Sequence, residues 1–434
     1  MGLLQENYRV PPFPKGDGQE LSGGEKEATS NRKAKVLKCL ESLCIACDED
    51  NMPNIAVLGS GGGLRAMIAL EGTLVELKKQ GLLDAVMYLC GVSGSTWCMS
   101  FLYQEKDWTE KVQILEERLC DTLSKPSIGI QEEFNIATHA AEDELFSLTD
   151  VWASFFVCET LKQYDKTKLS EHDDASRNGK NPYPIYAAIE ANQMDKAGEN
   201  SPGDLQGLPV SMPVIGTDYT SEHCQGVPLL LQEFHVHASA GEDCEGIFRH
   251  LKEFLKEENC NNSYLKCCEV SHDAQSTGLT NDKLIYLIDA GIAINSAYPL
   301  VLRPQRKVQL ILSFDFSARD PFETIKKTAI YCKTNHIPFP EIDPEEIKDP
   351  DHPSDCYIFR GKDVPTVMHF PLFNTINCPG KIKDFRDKFT TFTRHYSEDD
   401  VKELLKRAKM NVSNNKEKIL NEIRQIVSSS TKEF

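Results

Sequence analysis

Ser93 is the residue in this sequence best placed to act as a nucleophile. It lies in Gly91-Val92-Ser93-Gly94-Ser95, directly after the apolar run 86–90. A strand ending abruptly in Gly-x-Ser-Gly predicts a nucleophile elbow. The glycines let the backbone turn sharply, and the hydroxyl then projects above the sheet edge. A helix starting at that turn would aim its partially positive N-terminus at the same place. Position 95 is Ser where a strict elbow has Gly, and a plain strand-to-helix turn of small residues is the competing reading.

An earlier turn, Gly59-Ser60-Gly61-Gly62-Gly63-Leu64-Arg65, follows the apolar run 55–58. Consecutive glycines let backbone N–H groups approach an anion closely. One use is an oxyanion hole made by the Gly62 and Gly63 amides. The other is dinucleotide binding, since Gly61-x-Gly63-x-x-Ala66 matches a variant phosphate-binding fingerprint. A dinucleotide site wants an acid at the end of the second strand to hold the ribose. That strand runs into Cys90-Gly91-Val92-Ser93, and Asp84 lies before it, which favours the oxyanion hole. No Lys-Ser or Lys-Thr follows the glycines, so this is not a Walker loop.

Two kinds of base could activate Ser93. A Ser, Asp, His order needs a histidine late in the chain, and His336, His352, His369 and His395 are available. His369 is the best of them, beside the strand-like stretch 367–372, but none sits in a Gly-flanked turn. Asp289 is the alternative. It ends the apolar run 284–288 and precedes Ala290-Gly291, so its carboxylate is expected at the sheet edge where the other strands end. An Asp that only caps local N–H groups would look the same.

The elements that must position these residues follow from periodicity. A helix is expected over 31–48, strands at 55–58 and 86–90, and between them a helix over 64–80 with Gly81 as its C-cap. Residues 108–175 read as helical, 183–188 as a strand, 247–256 as a short helix, and 307–316 as the clearest late strand. Two helices, 397–409 and 415–427, close the chain. Ser397 and Asp400 have capping-box spacing. Strand, turn, helix, strand and turn in succession predict an α/β layered fold.

Composition removes several classes. Acids outnumber bases, 66 to 48, for a formal charge of −18, which argues against nucleic acid as a partner. No apolar run approaches the ~18 residues of a spanning helix, so no transmembrane segment is expected. The 15 cysteines contain no Cys-x-x-Cys pair, and no secretory signal opens the chain, so reduced thiols in the cytosol are expected. No metal or cofactor site is read, and composition does not set the oligomeric state.

Together the motifs resemble the group IV cytosolic phospholipases A2, whose catalytic fold is similar to the patatins. The stretches are Gly59 to Ala66, Gly91 to Trp97, and Asp289 to Asn295 with Tyr298-Pro299-Leu300. Ser147 to Asp150 with Trp152, and Ser313 to Ser317 with Asp320-Pro321-Phe322, match as well. The resemblance covers 31–192 and 283–425. With no calcium-binding C2 module before the motifs, it is strongest to the calcium-independent gamma branch.

The resemblance implies a three-layer acyl hydrolase with a central, mostly parallel sheet flanked by helices. Residues 31–430 would form the catalytic domain and 1–30 a disordered N-terminal segment. It also implies a Ser93/Asp289 dyad and an acyl-enzyme, with Gly62 and Gly63 as oxyanion donors and Arg65 on the substrate phosphate. Glycerophospholipid would be met at a membrane surface by a cytosolic, peripherally associated enzyme without cofactor, acting as phospholipase A2, lysophospholipase or transacylase. The family carries a Trp-Phe-Glu-Phe strand and a Gly-x-Trp-Gly-Ser turn after the 183–188 strand. Here Trp97, Trp108 and Trp152 all lie upstream, so both are absent and 194–282 is an atypical insertion in their place. The alternative is a catalytically impaired paralogue or splice form that binds lipid or a partner.

Overall fold

Short runs of Ile, Val, Leu and Ala with almost no polar residue are what a strand needs when both of its faces are covered. The computed structural model describes residues 20–125, 136, 153–162, 169–190, 209–212, 267–268, 285–391, 393 and 395–430. Among them are nine strands: β1 (Asn54–Gly59), β2 (Val86–Gly91), β3 (Tyr183–Glu190), β4 (Pro209–Met212), β5 (Cys267–Cys268), β6 (Ile285–Asp289), β7 (Val308–Asp315), β8 (Tyr357–Phe359) and β9 (Thr366–Pro371). β3, β2, β1, β7 and β9 lie side by side in that order and run parallel. β8 joins β9 antiparallel, β4 and β6 are antiparallel to β3, and β5 is antiparallel to β6. The sheet is therefore mostly parallel, as expected. Strand order runs outward from β1 in both directions, so β1 sits at the switch point, where open α/β sheets bind ligands beyond their strand ends.

Register places the chemistry. Gly59 of β1 stands beside Gly91 of β2 and Phe314 of β7, so three strands end level. Gly91 stands beside Tyr186 of β3, and Ala188 of β3 stands beside Asp289 of β6. Asp289 thus lies two residues past the Gly91 level, which is the level of Ser93. The expected meeting at one edge occurs, but β6 reaches it from the opposite direction, running antiparallel and stopping there.

Helices cover both faces. They include α1 (Gly23–Ser42), α2 (Gly63–Lys79), α3 (Gly94–Tyr103), α4 (Trp108–Leu123), α5 (Glu323–Asn335), α6 (Glu398–Ser413) and α7 (Lys416–Ser430). α2 packs against α3, α4 and α6 and is buried from Gly63 to Leu77. Gly81 follows its C-cap with φ +76°, as expected. Ser397 and Asp400 form the capping box on α6: the Ser397 hydroxyl accepts from Asp400 N at 3.2 Å, and the Asp400 carboxylate accepts from Ser397 N at 3.3 Å. The expected helix over 247–256 and most of 194–282 lie outside the described residues, as do residues 1–19.

The first helix begins at Gly23, well before the expected residue 31, and ends at Ser42. Ser22 caps it, accepting from Glu25 N at 3.1 Å. Glu25 then receives Arg306 Nε at 2.7 Å and a second guanidinium nitrogen at 3.0 Å, both side chains buried. Further along, Arg32 donates to the carbonyls of Leu83, Val86, Gly179 and Lys180, tying α1 to the starts of β2 and β3. A polar-looking leader is therefore held by partners far off in sequence.

Removing one partner of a buried, bidentate ion pair strands the other charge, at a cost of about 3–5 kcal/mol. Glu25→Ala is expected to lower the urea unfolding midpoint accordingly, whereas an exposed exchange such as Lys348→Ala leaves it unchanged. An unaffected midpoint for Glu25→Ala would show that α1 is not anchored this way.

Candidate active site

Ser93 follows β2 by two residues and serves as N-cap of α3, with φ 52° and ψ −122°. Such a backbone is unfavourable for a non-glycine residue, by about 1–3 kcal/mol, and clusters at functional sites. It gives the sharp strand-to-helix turn that the Gly-x-Ser-Gly pattern predicts. Gly94 permits it: a side chain there would run into the Gly63 carbonyl, so the elbow rests directly on the glycine turn.

The Ser93 side chain lies beside the Asp289 carboxylate, close enough to act on its charge, and Asp289 Oδ1 accepts from Gly291 N at 2.8 Å. Ser93 is 4 % exposed and Asp289 6 %. Burial drives the Asp289 carboxyl up to about 7, and the Gly291 N–H and the neighbouring Ser93 hydroxyl pull back against that rise. The structure thus brings together two expected residues separated by almost half the chain.

Gly62 caps α2 with φ 151°, and neither its N–H nor that of Gly63 donates to a protein acceptor among the described residues. Both are buried beside Ser93. Two helix N-termini, of α2 and α3, converge here, and the positive ends of their dipoles favour negative charge. The turn itself is held by residues that sequence reasoning did not single out. Ser95 Oγ donates to Ser60 O at 2.6 Å, and Ser60 Oγ accepts from Phe316 N at 2.7 Å. The Ser at position 95, a departure from the strict elbow, is thus explained by a bond to the neighbouring turn. Its signal was present in Gly-x-Ser-Gly-Ser; what was invisible was the carbonyl it meets.

Arg65 is where the structure departs most from expectation. The guanidinium is not open to solvent or to a substrate: it is 1 % exposed, with Nε on Phe316 O at 2.7 Å, one terminal nitrogen on Phe389 O at 2.5 Å and the other on Thr391 Oγ1 at 3.3 Å. It lies against Gly62, whose missing side chain makes the space. Burial lowers its pKa to about 10, so it stays charged at neutral pH. Asp315, at the end of β7, is also buried. Desolvation raises its carboxyl to about 6, while Ser317 N, bonded to Oδ1 at 2.9 Å, and the nearby Arg65 charge oppose that.

His369 is a core residue. It is fully buried in β9, its Nε2 lies 2.8 Å from Pro321 O, and burial lowers its pKa to about 4. It stands beside Ser313 of β7, inside the sheet and away from Ser93. Of the two kinds of base left open, Asp289 is the one set beside Ser93 among the described residues. No group of three or more potential metal ligands occurs among the described residues.

Residues 55–200 match the lysophospholipase catalytic domain family. Human cytosolic phospholipase A2 gamma is 33% identical, over 94% of this chain and 95% of its own. That alignment runs over 525 positions, more than the 434 residues here, so the relative holds segments this chain lacks. Human cytosolic phospholipase A2 zeta is 31% identical over 82% of this chain and 53% of its own. The solved structure of human GIVD cytosolic phospholipase A2 superposes with a TM-score of 0.74 at 23% identity, covering 96% of this chain and 69% of that one. The same human enzyme, in complex with methyl gamma-linolenyl fluorophosphonate, gives 0.69 at 25% identity, over 95% of this chain and 65% of that one. The chain therefore belongs to the cytosolic phospholipase A2 family, as a hydrolase built on its lysophospholipase-type catalytic domain.

Proposed function

We propose that this protein is a calcium-independent phospholipase A2, with lysophospholipase and transacylase capacity, working through Ser93 and Asp289. The observation that carries this reading is the placing of the Ser93 side chain beside the Asp289 carboxylate, inside a nearly closed site where two helix N-termini meet. A human relative of the same fold is described in complex with a fluorophosphonate, a reagent class that reacts with activated serines, which supports a serine nucleophile here.

In the mechanism, Ser93 Oγ attacks the fatty-acyl ester carbonyl while Asp289 takes the hydroxyl proton. The resulting oxyanion lies against the Gly62 and Gly63 amides, which are already oriented. Collapse releases the lysophospholipid, whose oxygen recovers the proton from Asp289. Asp289 next deprotonates a water that attacks the acyl-enzyme, freeing the fatty acid and Ser93. A lysophospholipid hydroxyl in place of that water gives transacylation. Arg65, buried beneath Gly62, acts on the substrate phosphate through its charge, which adds to the positive potential of the turn. Nucleophile, base and donors all belong to the chain, which is the basis for proposing that calcium is not required. On this reading the enzyme acts from the cytosol and meets glycerophospholipid peripherally at a membrane surface. Among the described residues no helix is long and apolar enough to cross one.

Purified protein is expected to release fatty acid from phosphatidylcholine vesicles, at the same rate with excess EGTA. Ser93→Ala should lower that rate by about 10³-fold or more, as for loss of a covalent nucleophile. Undiminished hydrolysis by Ser93→Ala would refute the nucleophile, and a collapse in EGTA would refute calcium independence.

Asp289 works only when ionised, so kcat should rise with pH through a midpoint near 7, the value to which burial raises the carboxyl. The stability sign is opposite. Because the folded pKa lies above the ordinary 3.8, the fold disfavours the ionised form; the penalty begins as pH passes 3.8, grows to about 7 and is constant above. Asp289→Asn is therefore expected to abolish hydrolysis while raising the urea midpoint more at pH 8 than at pH 4. An equal shift at both values would contradict a raised carboxyl.

A further inference from the structure

A peptide plane carries its C=O and the next residue's N–H on opposite sides, so fixing one aims the other. The Gly62 N–H shares its plane with the Gly61 carbonyl. Asn295 Nδ2 donates to that carbonyl at 3.2 Å, and the Asn295 main-chain carbonyl accepts from Gly61 N at 3.1 Å. Asn295 Nδ2 also reaches Ser317 Oγ at 3.4 Å, in the loop after β7. The side chain is half-buried and fills the space over Gly61: a Cβ there would collide with Asn295 Oδ1 and stand 3.0 Å from Ser93 Cβ. On its other side, a Cβ on Gly291 would lie 2.9 Å from Asn295 Oδ1 and 3.1 Å from Asp289 Oδ1. One carboxamide therefore touches the glycine turn, the β7 loop and the Asp289 loop.

We propose that Asn295 is a positioning residue for hydrolysis: by holding the Gly61 carbonyl it keeps the Gly61–Gly62 peptide from flipping and presents the Gly62 N–H to the oxyanion. Glycine on both sides of that peptide leaves rotation sterically cheap, so without the Asn295 bond only the 3.3 Å contact from Ser60 Oγ opposes a turn of the carbonyl inward. Ser95 fixes the preceding plane through the Ser60 carbonyl, and the Gly61 carbonyl is shared between Asn295 Nδ2 at 3.2 Å and Ser60 Oγ at 3.3 Å, of which Asn295 is the donor that also reaches the Asp289 loop. The inference rests on the Ser93/Asp289 reading and adds to it the residue that sets the donor geometry.

The test measures kcat, KM and the pH profile of full-length protein on phosphatidylcholine mixed micelles, with thermal melting as a check on folding. Asn295→Ala should lower kcat by about 10²-fold, the loss of one oxyanion donor, with KM little changed. Asn295→Asp keeps the shape, removes the donor and sets a carboxylate against Asp289. It should lose kcat similarly and move the midpoint of the pH profile upward, because a like charge disfavours ionisation of Asp289. A purely structural asparagine would instead show its loss in thermal melting, without a selective fall in kcat at constant KM. Wild-type-like kcat in both variants, or a fall in kcat only in step with lost folding, would overturn the role of Asn295 and leave the dyad standing. A wild-type protein without hydrolysis would instead bring down the dyad reading, and this inference with it.

Discussion

A carboxylate stripped of water keeps its charge only as far as its neighbours replace the lost hydration. Asp289 has two such neighbours, the Gly291 N–H and the Ser93 hydroxyl, and they replace it incompletely. The carboxyl consequently sits near neutrality, able to hold or release a proton at physiological pH. The strained Ser93 backbone and the buried Arg65 charge have the same character. Each is unfavourable locally, and each is tolerated because the surrounding packing over-determines it.

That over-determination comes from the sheet. β1, β2 and β7 end level and are parallel, so their turns fall together at the switch point without long connections. β6 completes the group from the opposite direction, and its pairing with β3 stops Asp289 at the level of Ser93. Between the turns there is little room for side chains. Gly94 rests on Gly63, Arg65 presses on Gly62, and Ser95 and Asn295 hold successive peptide planes. Glycine-rich turns gain their precision here from what is packed against them.

Much of this was legible in the sequence, because local physics wrote it there. The apolar runs before Gly59 and Gly91 predicted the strands and the turns they enter. Helical periodicity with Gly81 predicted α2, and Ser397 with Asp400 predicted the start of α6. What was not legible depends on distant partners. Nothing near residue 25 announces Arg306, so α1 was expected to begin late. Nothing near Arg65 announces the carbonyls of Phe316 and Phe389, so its guanidinium was expected on the substrate phosphate and not among buried carbonyls. The direction of β6 is set by register, which an apolar run of five residues does not encode. Asn295 stood inside a quoted motif, yet only the geometry of the Gly61 carbonyl gives it a role.

The central claim, that Asp289 activates Ser93, is tested most directly by the rate at which a lipid-like fluorophosphonate modifies the protein, with the adduct located by peptide mass. The account predicts a single adduct on Ser93, formed in a pH-dependent way, and slowed by orders of magnitude in Asp289→Asn. An adduct on another residue, or equal rates with and without the Asp289 carboxylate, would contradict it.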